Sequence, residues 1–188
     1  MMVLAAMMAG WVVSHAAAAT LEGVTLPDTY MVNGRSLPLN GMGVRTLTIF
    51  RIRAYVAALY LAKPSHDAAE ILASREPKVL VLQFIHSGSK AQVEKEYREG
   101  EANNCGKGAC APTDQADFER LVAAAPAVSP GDQSIFVFTG NGLKVFANDT
   151  MIGDYANPDL AYHMLAGFIG QHPPSEALRS GLLGLPPD

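Results

Sequence analysis

Apolar and polar positions alternate along the first third of the chain and again late, over residues 133–155. Between and after those stretches they group at helical spacing. The run "TYMVNGRSLPL" holds two short alternating segments about Asn33-Gly34, a dipeptide suited to the left-handed backbone of a two-residue hairpin turn. "VRTLTIFRIRAYVAALYL", residues 44–61, is rich in β-branched and aromatic residues and too long for one straight strand. It is expected to bend or turn back near Phe50 and Arg51. "KVLVLQFIH", residues 78–86, is almost continuously apolar, as a central strand requires. "QSIFVFTGNGLKVFANDTMIGDY" reads as a meander turning at Asn141-Gly142 and Asn148-Asp149.

Helices occupy the gaps. Ser65 is expected to cap a short helix through Arg75, and Ser89 to open one that runs through Tyr97 toward Asn104. Thr113 is the cap expected for "DQADFERLVAAA". Asn157, with Pro158 at the first helical position, starts "DLAYHMLAGFIG", which Gly170 closes, and Ser175 begins a last helix to about Leu183. Antiparallel strands interspersed with helix pairs predict an α+β domain, a sheet with helices packed on one face.

The first nineteen residues, "MMVLAAMMAGWVVSHAAAA", form an apolar run ending in small residues, the pattern of a secretory signal peptide. No Lys or Arg precedes the run, and a retained N-terminal anchor is the alternative. Cleavage near Ala18 or Ala19 would leave one domain over residues 20–188, exported to the periplasm or secreted, with no stable membrane insertion. The net charge of −4 and the lack of a basic cluster argue against nucleic acid and anionic lipid as partners. Cys105 and Cys110, in "CGKGAC", fit a disulfide closing a small loop better than free thiols, and their spacing is not that of a CxxC redox motif. His86, His163 and His172 are dispersed, so no metal or other cofactor is expected.

Candidate chemistry lies in two places. On a helix, a seven-residue step returns to within about 20° of the same face, so Val93, Tyr97, Gly100 and Asn104 form one stripe. Periodicity alone favours Tyr97 as a core aromatic and Asn104 as a helix C-cap. The second place is Arg45, which follows "GMG" into an alternating strand with apolar neighbours Leu47 and Ile49. Such a guanidinium either escapes to solvent or meets an anion. If the chain doubles back through an odd-length loop about Phe50, Tyr55 faces Arg45, and the pair would make a carboxylate or phenolate clamp.

Taken in order, "GMGVRT", "AYVAALYL", "Y…NNC" and "FIGQHPPSEALRSGLL" resemble the chalcone isomerase superfamily, in particular its secreted bacterial branch. The likeness runs from about Gly23 to Leu183. It implies a large antiparallel sheet with helices layered on it and a ligand cleft between them. The family's catalytic arginine, tyrosine and asparagine fall on Arg45, Tyr97 and Asn104. A catalytic threonine falls on Tyr55 and a second hydroxyl residue on Gly167, and neither matches. Tyr55 is instead similar to the tyrosine that, with the arginine, holds the carboxylate in fatty-acid-binding members. The resemblance therefore implies an uncatalytic or weakly catalytic binder of a small apolar anion, fatty-acid-like or phenolic. The alternative is a chalcone or flavanone isomerase, an intramolecular lyase that adds a phenolate to an enone.

Overall fold

The computed structural model describes residues 18–47, 51–105 and 110–186. Nearly all of the expected leader lies outside them, as does Phe50. The main sheet is an antiparallel meander of seven strands: β3 (Thr29–Val32), β4 (Arg35–Leu47), β5 (Ile52–Leu61), β6 (Lys78–Phe84), β7 (Gln133–Thr139), β8 (Gly142–Ala147) and β9 (Thr150–Tyr155). Each pairs with the next in sequence. The hairpin at Asn33-Gly34 forms as the dipeptide predicts, with φ of 49° and 76°. Among the described residues five helices intervene or follow: α1 (Ala68–Ala73), α2 (Lys90–Cys105), α3 (Pro112–Ala124), α4 (Pro158–Ile169) and α5 (Glu176–Leu182). The chain is thus α+β, as expected, with the sheet curled into a half-barrel.

Both faces of the central strands are buried, which explains why "KVLVLQF" lacks alternation. Ala57, Leu59, Leu80, Leu82 and Phe136 pack under the helices. Val56, Ala58, Tyr60, Val79 and Val81 face a second, smaller core. A two-stranded hairpin, not expected from the sequence pattern, closes part of that core: β1 (Ala18–Leu21) and β2 (Val24–Pro27), with Val24 and Leu26 buried in it. Tyr60 donates its hydroxyl to Pro27 O at 2.9 Å, tying the hairpin to β5.

Two expected caps are displaced. Asp67, not Ser65, caps α1, accepting from the backbone N–H groups of Ala69 and Glu70, while Ser65 donates to the Glu70 carboxylate at 2.6 Å. At α3 the cap position is Ala111, and Asp114 reaches back to the Ala111 N–H, so Thr113 sits one residue inside the helix. A Pro at the first helical position shifts the start ahead of the threonine. Ser89, Asn157 and Ser175 cap as expected.

β4 is the seam between sheet and helices. Asn40 is an extra residue in its pairing with β5, and its side chain donates to Leu182 O at 2.9 Å and accepts from Ser65 N at 2.8 Å. Gly41 and Gly43 lie directly against α5, backbone to backbone. A Cβ on Gly41 would stand 2.9 Å from Leu182 O and closer still to Gly181 O. These glycines are therefore needed for close approach of a helix rather than for a tight lead-in to Arg45.

Candidate functional site

The strand pairing sets Arg45 opposite Tyr55. The route differs from the expected odd-length loop. Leu47 pairs with Ile52, an even connection, and an extra residue at Ala54 restores the register one step further on. Tyr55 therefore points to the helix side of the sheet, buried edge-on against Phe84 with ring centres 5.7 Å apart.

Between this face and the helices lies a cavity of about 350 Å³, within the range of small-molecule sites. Its apolar lining includes Leu82 and Phe84 from the sheet, Val93 from α2, Phe118 from α3, and Met164 and Phe168 from α4. The stripe read from the sequence faces it: Val93, Tyr97, Gly100 and Asn104 all line the cavity, together with Tyr55. Asn104 donates to Gly100 O at 2.9 Å and to His172 O at 3.3 Å, which holds its amide across the end of α2. Gly167 also lines the cavity, and a Cβ there would sit 3.9 Å from the Asn104 amide nitrogen.

Arg45 stands one layer behind. Its side chain is only 12% exposed and lies outside the lining set, whereas its partners Tyr55, Glu96 and Pro174 belong to it. The guanidinium donates to Pro174 O at 2.7 Å and to a Glu96 carboxylate oxygen at 3.1 Å. Its Nε is buried with no hydrogen-bond partner among the described residues. Arg45 thus joins β4 to α2 and to the segment before α5. Glu96 has no counterpart in the sequence-based site, since it lies off the Tyr97 stripe and 51 positions from Arg45.

Burial raises the Tyr55 phenol well above its ordinary range; Arg45 opposes the shift, while Glu96 and Tyr97 add to it. Burial raises Tyr97 likewise, against the Ser134 hydroxyl. Both phenols are neutral donors at physiological pH. Folding stability should therefore fall as pH rises past the ordinary tyrosine value of 10.0, because the unfolded chain ionises these groups first. Phenolate ultraviolet absorbance followed beside circular dichroism checks this: the signal of Tyr55 and Tyr97, isolated by Phe substitutions, should appear only as the fold is lost.

Cys105 and Cys110 form a disulfide linking the end of α2 to the approach to α3, on the cavity wall. No helix among the described residues is long and apolar enough to cross a membrane.

A sequence model of the chalcone isomerase-like family matches residues 18–184. The chain belongs to this family. No curated protein matches it by sequence. Among solved structures, it is similar to the crystal structure of a fatty-acid binding protein of Arabidopsis thaliana, with 16% identity and a TM-score of 0.69. The alignment covers 89% of this chain and 96% of that one. At this identity the likeness establishes the shared chalcone isomerase-like fold. Within this chalcone isomerase-like chain, Tyr55, Tyr97 and Asn104 converge on one cavity, and Arg45 braces it from behind.

Proposed function

We propose that the protein is an exported binder of a small apolar anion, a fatty-acid-like carboxylate, with little or no catalysis. The observation that carries this reading is an apolar cavity lined by two neutral phenols, Tyr55 and Tyr97, with the Arg45 guanidinium one layer behind Tyr55. The apolar lining takes the tail, and the phenols donate to the carboxylate. Glu96 competes for Arg45, so binding involves exchange of one carboxylate for another. The fatty-acid-binding neighbour supports the ligand class, and the apolar leader and the disulfide support export.

Ring closure would demand donors already in place where charge develops, and losing one well-placed donor costs about a hundred-fold or more in rate. Gly167 supplies none, and Tyr55 stands where the resemblance implies a threonine.

The test is native mass spectrometry of delipidated protein with mixed fatty acids and chalcones. One fatty acid per chain should be retained, and the chalcone absorbance band should persist. Retention of neither ligand class removes the proposal, and rapid loss of the chalcone band replaces it with the isomerase. Tyr55→Phe should weaken carboxylate binding by about 1 kcal/mol, the net scale of one hydrogen bond, read by isothermal titration.

A further inference from the structure

The fold brings a histidine to the cysteine pair although the sequence offers no spacing that joins them. One ligand nitrogen of His163 and the two sulfurs of Cys105 and Cys110 lie within 4.8 Å of one another. His163 comes from α4, Cys105 from the end of α2, and Cys110 from the lead-in to α3, so three elements meet at this point. Behind the imidazole stands Asp114, buried, with a carboxylate oxygen 3.5 Å from His163 Nδ1. That Nδ1 is buried and without a hydrogen-bond partner among the described residues. Asp114 is itself held in place, accepting from Asn157 Nδ2 at 3.0 Å and from Ala111 N at 3.3 Å.

We propose that the reduced form of this cluster is a binding site for one soft divalent cation of the zinc class. Two thiolates and the His163 imidazole are the ligands, and Asp114 orients the ring. Two sulfurs and a nitrogen match the donor preference of such a cation, and a carboxylate behind a ligating histidine is the usual supporting arrangement. Tetrahedral bonds of about 2.3 Å to sulfur place the two sulfurs about 3.8 Å apart. Once the disulfide is broken, side-chain rotation at Cα atoms 5.0 Å apart brings the three donors within that span. All four side chains line the cavity, so the fourth coordination position is open toward it.

The oxidised and metal-bound forms exclude each other. A dithiol reductant delivers two electrons and two protons to the Cys105–Cys110 bond and is left as a disulfide. The cation then displaces the two thiol protons to solvent as both sulfurs bind. This inference does not depend on the cavity holding a fatty acid.

Cobalt(II) titration of the full chain, reduced with a non-coordinating phosphine, tests it. The reduced protein should bind one cobalt with thiolate charge-transfer absorbance, lose that signal to equimolar zinc, and melt at a higher temperature with metal. His163→Gln should weaken binding at least ten-fold, and Asp114→Asn about ten-fold. The disulfide form and the Cys105→Ser, Cys110→Ser double variant should give no such absorbance. Three results would overturn the site: no stoichiometric binding on reduction, equal affinity in His163→Gln, or equal binding by the oxidised protein. The second also covers a reduced chain that unfolds, because a loose thiol pair would be indifferent to His163.

Discussion

Gly43→Val is expected to cost about 3 kcal/mol or more of folding stability, at the upper end of overpacking effects, because the neighbour is backbone rather than a side chain that could turn away. A Cβ at Gly43 would lie 3.0 Å from Leu178 Cα and nearer its carbonyl oxygen, and one turn along the same helix a Cβ at Gly181 would lie 2.7 Å from Gly43 Cα. Neither β4 nor α5 can yield without breaking the pairing with β5 or the Asn40–Leu182 contact. A shift of the urea midpoint measures the effect, and Gly100→Ala supplies the contrast. An added Cβ at Gly100 meets nothing within 4 Å, so that helix-interior change should stabilise by about 1 kcal/mol. Equal midpoints for the two variants would mean that the α5–β4 contact is not close-packed.

Arg45→Ala is expected to lower carboxylate affinity about ten- to a hundred-fold, the range for hydrogen bonds to a charged group. Glu96→Gln should act in the opposite direction. With Glu96 41% exposed and Arg45 largely buried, removing the acid's charge frees a guanidinium that is already positioned. Calorimetric titration with a soluble fatty acid reads both, and thermal melts separate lost binding from lost folding, since Arg45 also holds Pro174 O. Unchanged affinity in both variants would leave Arg45 a purely structural brace.

The elements that could be read from sequence are those written in local chemistry. The Asn33-Gly34 turn, the Asn157-Pro158 helix start and the meander from Gln133 to Tyr155 each follow from a few adjacent residues. The Tyr97–Asn104 stripe was legible too, because helical geometry alone sets which residues share a face. What could not be read depends on long-range juxtaposition. The β1–β2 hairpin has strands of four residues whose apolar positions gain meaning only against Tyr60 and Val56. Glu96 appears in sequence as one more charge on a polar helix, and only the fold delivers it to Arg45. His163 lies far from Cys105 in the chain, on another helix, and no spacing rule connects the two. The family resemblance supplied the residues that converge on the cavity, but not the acid that occupies the arginine.

α2 carries Tyr97, Glu96 and Asn104, yet none of its residues is fully buried. Residues 55–61 of β5 and nearly all of β6, by contrast, are sealed on both faces. In hydrogen-exchange terms the two regions are expected to fall in different tiers: amides of residues 55–61 and of β6 released only by global unfolding, those of α2 by a cheaper local opening. The Cys105–Cys110 link keeps one end of α2 fastened through that opening. The wall bearing Tyr97 is therefore the part of the site expected to loosen first, while the amide of Asn104 stays at the tethered end.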